Sequence, residues 1–144
     1  MKELLKNIAI AGVIVLVAAI ALYVTTPPQE TQTEKLTAAP ASLPVLAKAF
    51  KSGKPTVLLF ERSGCPACKK QKPIWEDVKE VYGDKVNFID LMYNTSTAKA
   101  FEDYKIEYIP TLYFITRDGK ILDMHVGLIS YDDLAKAVEN LLKS

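Results

Sequence analysis

The chain has two cysteines, and two residues separate them in Ser63-Gly64-Cys65-Pro66-Ala67-Cys68-Lys69-Lys70. The pair follows a short apolar run, Pro55-Thr-Val-Leu-Leu-Phe60, and opens a helical pattern. That placement suits thiol–disulfide exchange. A helix N-terminus has unpaired N–H groups and a partial positive charge that stabilise a thiolate, and the second thiol sits one turn away. Pro66 fits the first helical turn, where its missing N–H is not needed. Both cysteines belong to the motif, so none is left for a structural disulfide and the core must rest on apolar burial.

The flanking chain has to supply a strand before the pair and a helix after it. Residues 55–60 have the length and apolarity of a central strand buried on both faces. Helical spacing then continues to about Tyr82, with Ile74, Trp75, Val78 and Val81 as its apolar face, and Pro73 is expected to kink it. Upstream, Ser42 is a candidate N-cap for a helix that places Leu43, Leu46, Ala47 and Phe50 on one side, with Gly53 past its end. Downstream, Val86–Met92 reads as a second strand, and Ser96 or Thr97 as the cap of a helix to about Tyr104. Thr111–Ile115 reads as a third strand, with a turn at Arg117-Asp118-Gly119 and an antiparallel return over Lys120–Val126. Gly127 breaks that strand, and Ser130 caps a helix over 131–143 with Leu134, Ala137, Val138, Leu141 and Leu142 as its stripe. The order α, β-α-β-α-β-β-α gives an α/β fold. A right-handed crossover makes a parallel pair and the hairpin an antiparallel one, so the sheet is four-stranded and mixed, with helices on both faces.

The N-terminal part has a different composition. Apolar residues make up 49% of the 144 residues, a fraction raised by one uncharged block at residues 8–24. At 1.5 Å per residue that block spans roughly 25 Å, near the lower limit for a transmembrane helix. Lys2 and Lys6 precede it, so the positive-inside rule puts residues 1–7 in the cytoplasm and the remainder outside, with Tyr23 at the far interface. The competing reading is a cleaved signal peptide, since Ala19-Ile20-Ala21 resembles a cleavage site. Residues 25–41, rich in Pro, Thr and Gln, read as a flexible linker whose ends lie about 20–25 Å apart on average. A globular domain follows over 42–144. Lys+Arg 18 against Asp+Glu 17 leaves a net charge of +1, which argues against nucleic acid as a partner. The sequence contains neither a Gly-rich phosphate loop nor a catalytic triad.

Residues 42–144 resemble a thioredoxin-fold domain. Besides Cys-x-x-Cys, the resemblance rests on Pro73, five residues after Cys68, and on Tyr108-Ile109-Pro110-Thr111-Leu112, which is similar to the family's Ile-Pro-Thr. Gly127 falls where the family has a glycine after its last strand. The resemblance implies a cis Pro110 facing the disulfide, with Gly64, Pro66, Ile109 and Pro110 bordering the substrate groove. It implies that Cys65 attacks a substrate disulfide and that the more buried Cys68 resolves the mixed disulfide. Two family features are missing. Gly64 stands where the family has a tryptophan, and Leu59 stands at the place of its buried aspartate. Glu61 and Asp90 are therefore the candidate proton acceptors for Cys68, against the alternative of ordinary carboxylates at strand ends.

These features imply a membrane-tethered, extracytoplasmic thiol–disulfide oxidoreductase that reduces protein disulfides. Its partners would be those substrates and a transmembrane electron donor, and apocytochrome c is one substrate class of related anchored proteins. No histidine lies between the cysteines, and Ile109 precedes Pro110; both favour a reductase, although Lys69 and Lys70 add thiolate stabilisation. The rival readings are a disulfide-forming oxidase or isomerase on the same fold, and a non-catalytic module that binds proteins in the Pro110 groove. No cofactor and no metal is expected, because His125 and one cysteine pair fall short of the four ligands zinc usually takes. Trp75, Tyr104, Tyr108, Tyr113 and Phe114 read as core or groove lining, and the lysines as a solvated face.

Overall fold

Six consecutive residues, Thr56–Glu61, form strand β1, and every one of them is buried. A strand covered on both faces cannot satisfy its backbone with water, so both of its edges must be paired. The computed structural model describes residues 36–144. Within them β1 lies between β2 (Asn87–Met92), which is parallel to it, and β3 (Thr111–Ile115), which is antiparallel. Strand β4 (Ile121–Val126) pairs antiparallel with β3, so the order is β2-β1-β3-β4. Helices α1 (Pro44–Phe50), α2 (Pro66–Tyr82), α3 (Ala98–Asp103) and α4 (Tyr131–Lys143) complete the described residues.

Side-chain alternation along β1 divides the core into two layers. Val57 and Leu59 pack with Trp75 and Val78 of α2, Leu112 and Phe114 of β3, and Leu134, Val138 and Leu141 of α4. Leu58 and Phe60 point the other way, against Leu46 of α1, Phe101 of α3, and Tyr104 and Tyr113. The expected four-stranded mixed sheet with helices on both faces is therefore present.

Several local expectations are corrected. Ser42 does not cap α1. The N-cap is Leu43 with no side-chain bond, the helix starts at Pro44, and the Ser42 hydroxyl donates instead to Asp103. Thr97 precedes α3, but its hydroxyl donates to the Met92 carbonyl at 2.7 Å, while the Asn94 side chain takes the N–H of Ser96 and Thr97. Val81 is 60% exposed and not part of the α2 face. The buried stripe is Cys68, Gln71, Trp75 and Val78, and Tyr82, four residues after Val78, packs against the core in Val81's stead. By contrast Ser130 caps α4 as expected, accepting from the Asp133 N–H.

Register assigns each loop to one of two poles. At one pole Glu61 pairs with Met92, Phe60 with Thr111, and Thr111 with Val126. At the other lie Thr56, Asn87, Ile115 and Ile121. Residues 25–41 read as a linker, yet the last of them are bonded to the globular domain, mainly at this second pole. Ala39 N–H donates to Gly119 O at 2.9 Å, Ile121 N–H to Thr37 O at 2.8 Å, and the Tyr104 hydroxyl to Pro40 O at 2.9 Å. The predicted segments 1–7 and 8–24 lie outside the described residues. Among the described residues no helix is long and apolar enough to cross a membrane.

Trp75 is fully buried and meets Phe88 edge-on at 5.0 Å. Trp75→Ala should lower unfolding stability by about 3–5 kcal/mol, read as a lower denaturant midpoint with an unchanged slope.

Candidate active site

Glu61 ends β1 at the first pole, and the chain must then turn to start α2 over the sheet. It does so in Arg62-Ser63-Gly64-Cys65, a turn closed by Cys65 N–H to Arg62 O at 3.3 Å. Gly64 has φ +80°, the left-handed value that the third position of such a turn requires. This gives a backbone reason for glycine at the place of the family's tryptophan: a side chain there would be strained even though the space is open.

Cys65 is the N-cap of α2, and its sulfur accepts the Cys68 N–H at 3.1 Å. The sulfur thus occupies the place of a capping oxygen, where negative charge is stabilised by the first-turn N–H groups and the helix dipole. Pro66 follows at the first helical position. Cys65 and Cys68 are joined in a disulfide, with Cα atoms 5.3 Å apart. Cys65 is half-buried and Cys68 only 4% exposed, so an incoming sulfur reaches Cys65 first.

Pro110 immediately precedes Thr111, the β3 partner of Phe60, so register brings it to the same pole as the disulfide. The Ile109–Pro110 peptide bond is cis. Pro110 is buried and Ile109 half-buried. The loop is held by Gly127 N–H to Pro110 O at 2.7 Å and by the Thr111 hydroxyl to Tyr108 O at 2.7 Å. Gly127, at φ +97°, turns the chain out of β4 beside it. Tyr108, read from sequence as core or groove lining, is 67% exposed, whereas Tyr104, Tyr113 and Phe114 are buried.

Glu61 and Asp90 meet around one lysine. Both carboxylates lie on the α2 side of the sheet, because Asp90 is opposite Leu59 in register. Lys72, one helical turn beyond Cys68, places its ammonium 3.8 Å from Glu61 and 3.5 Å from Glu76, and it donates to Asp90. Burial raises the Glu61 pKa, with Asp90 and Glu76 adding to the rise and Lys72 opposing it. Burial works against the Lys72 charge, but its bond to Asp90 and the three carboxylates outweigh that and hold its pKa above the usual lysine value. The arrangement places a carboxyl of raised proton affinity beside Lys72, which lies one helical turn beyond Cys68.

Lys72 and Gln71 were missed in the sequence. Gln71 is fully buried, and its Oε1 accepts the Ile129 N–H at 2.9 Å, tying the redox helix to the loop that follows Gly127. The signal was its spacing, three residues after Cys68 and four before Trp75. Lys72 carries no comparable signal, because Glu61 and Asp90 lie on two strands and reach it only through register. His125 ends near the Leu128 carbonyl, at 3.4 Å, and among the described residues no three His, Cys, Asp or Glu side chains converge as metal ligands.

A family model described as a thioredoxin-like domain matches residues 45–142, well over half of the chain. The chain belongs to the thioredoxin-like domain family. Thioredoxin H4 of Arabidopsis thaliana is 34% identical over 97 residues, covering 66% of this chain and 78% of that protein. The thioredoxin-like protein HCF164 of the chloroplast in Arabidopsis thaliana is 32% identical over 95 residues, 65% of this chain but 36% of that protein. The chain therefore spans only about a third of the length of the HCF164 protein it matches. Among solved structures, StoA of Bacillus subtilis superposes with a TM-score of 0.55 at 21% identity, over 60% of this chain and 83% of that one. This last likeness concerns the fold alone. The matched residues include the Cys65–Cys68 pair and the Ile109-Pro110 segment.

A carboxyl whose native pKa lies above its ordinary value of 4.5 binds protons more tightly in the folded chain. Its contribution to stability is thus greatest below pH 4.5 and is lost as pH rises through the raised native pKa. Glu61→Gln should flatten that descent in denaturation measured across pH. Lys72→Met, which removes the cation that lowers the Glu61 pKa, should move the Glu61 carboxyl titration in NMR further upward.

Proposed function

We propose that the chain is a membrane-tethered reductase of protein disulfides, with its redox domain outside the cytoplasm. The observation that carries the chemistry is the Cys65 sulfur as N-cap of α2, accepting the Cys68 N–H in front of the Pro110 loop. In the reduced protein the Cys65 thiolate attacks one sulfur of a substrate disulfide. The substrate S–S bond breaks, and its other sulfur leaves as a thiolate that takes a proton from water. Cys68 then passes its proton to the Glu61 carboxylate and attacks Cys65 Sγ. This breaks the mixed disulfide, releases the second substrate thiolate and forms Cys65–Cys68. Two electrons have moved from the dithiol to the substrate, and the charge of Asp90 raises the proton affinity of Glu61 while that of Lys72 lowers it. Ile109 and Pro110, with Gly64 and Pro66 opposite, border the groove in which an extended substrate segment pairs with the backbone.

The absence of a histidine between the cysteines and Ile109 before Pro110 support reduction over oxidation, as does the 34% identity to a protein named thioredoxin. The uncharged stretch 8–24 behind Lys2 and Lys6 supports the anchor and an extracytoplasmic domain. Thiols outside the cytoplasm have no cytosolic reducing pool to draw on, so the dithiol requires a transmembrane electron donor. Proteins whose cysteines must stay reduced for haem attachment, such as apocytochrome c, fit this substrate class.

Cys68→Ser should accumulate substrates as mixed disulfides on Cys65, visible on non-reducing gels, and Cys65→Ser should accumulate none. The full chain should have a potential near that of thioredoxins, about −270 mV, whereas a value near −120 mV would identify an oxidase instead. If Cys65→Ser kept full function in cells, the chain would be a binding module and not a redox enzyme. The anchor is tested separately. The chain should stay in the membrane fraction after an alkaline wash, whereas a mature form starting near Leu22 and found in the wash would mark a signal peptide.

A further inference from the structure

Beside the disulfide is a cation that the exchange chemistry does not use. Arg62 opens the turn whose carbonyl accepts the Cys65 N–H, so its backbone lies within about 7 Å of that of Cys65. Its guanidinium sits over the Tyr93 ring, 4.7 Å from the centroid. The sheet imposes this contact, because Tyr93 N–H donates to Glu61 O at 2.9 Å and continues the β1–β2 pairing into the residue before Arg62. Tyr93 is fixed in turn, edge-on to Phe101 at 5.1 Å, and Phe101 is edge-on to Phe60 at 5.0 Å. A chain of perpendicular rings therefore runs from the core to the guanidinium. An exposed arginine held this way loses little conformational freedom when it takes a partner.

Among the described residues the charge of Arg62 has no carboxylate counterpart. Among the described residues Arg62, Lys69 and Lys70 have no carboxylate within 4.0 Å, although all three are exposed. Glu61, its neighbour in sequence, points to the opposite face and is engaged by Lys72. Glu107, the acid nearest in sequence to the Pro110 loop, is exposed and pairs with none of them.

Strand order supplies the remaining geometry. Across the disulfide pole the chain segments run Tyr93, Arg62, Ile109-Pro110, Gly127, following β2, β1, β3 and β4. Arg62 follows Phe60 by two residues and Ile109 precedes Thr111, the partner of Phe60, by two, so both lie just past the end of the β1–β3 ladder, on the face that Ile109 shares with Phe60. A peptide paired at Ile109 with its sulfur on Cys65 crosses the strand end that carries Arg62, whose guanidinium lies on the β2 side, over Tyr93.

We propose that Arg62, held over Tyr93, selects the substrate: the domain takes protein disulfides whose target cysteine is flanked by an Asp or Glu carboxylate. The inference rests on the reductase reading. A carboxylate meets a planar fork of donors whose orientation is already set, and Lys69 and Lys70 extend the positive rim.

The test uses the full chain in its reduced form and three synthetic peptides, each with one intramolecular disulfide. The residues flanking the attacked cysteine are Asp and Glu in the first, Asn and Gln in the second, and Lys in the third. Second-order rate constants for reduction should fall in that order, with the acidic peptide about tenfold faster than the basic one at low salt and the ratio shrinking towards one at 1 M salt. Arg62→Gln should collapse most of the ratio and Arg62→Lys should restore part of it, while Lys136→Gln on distant α4 should leave it in place. Equal rates on the three peptides would overturn the inference and leave the reductase reading standing. So would a ratio that survives Arg62→Gln but disappears in Lys69→Gln/Lys70→Gln. Reduction of none of the peptides, together with no trapped species in Cys68→Ser, would overturn both.

Discussion

The backbone groups of β1 have no access to water, since side-chain layers cover both faces, and they are satisfied only by β2 on one edge and β3 on the other. This pairing fixes what meets the disulfide. The end of β1 runs beside the end of β2 and the start of β3, so the Cys65 turn, Tyr93 and the Ile109-Pro110 segment are forced together by register alone. Slipping β3 by one residue would turn Phe114 and Leu112 out of one layer and place them in the other. The site is held by the same apolar burial that holds the sheet.

Around that frame the polar groups make two different compromises. The Cys65 sulfur takes the place of a capping oxygen, so the group that must become an anion already faces helix donors. Glu61 is in the opposite situation, buried next to Asp90 and Glu76 with Lys72 shared among the three. Burial and like charges oppose its ionisation, and the lysine limits how far they do so. A hydrophobic residue at position 61 would be cheaper for folding, by the general rule that buried ion pairs rarely outperform apolar packing. The proposed proton transfer from Cys68 gives this carboxyl a reason to be there that stability does not.

The elements that could be read from sequence are those in which local signals and burial agree. The apolar run of β1, the stripe of α4 with its Ser130 cap, and the hairpin at Arg117-Asp118-Gly119 each combine periodicity with a boundary residue. Where a side chain had a tertiary choice, local reading failed. Ser42 resembles a cap but bonds Asp103, which lies 61 residues away. Val81 keeps helical spacing yet falls on the outer side of the last turn of α2, where Tyr82 reaches the core instead. In the site, the cysteine pair and Pro110 are visible as motifs, because their chemistry depends on spacing along the chain. The Lys72 cluster is not visible in that way. It joins a strand end, the middle of a helix and a neighbouring strand, which become adjacent only through register.

The bridge of Thr37–Ala39 to the start of β4 gives the domain a polarity. The described chain enters at the pole of Thr56 and Ile115, while the disulfide occupies the pole of Glu61 and Thr111. A six-residue strand separates the two by about 20 Å. A macromolecule engaging Cys65 thus meets the side of the domain furthest from where the preceding chain attaches.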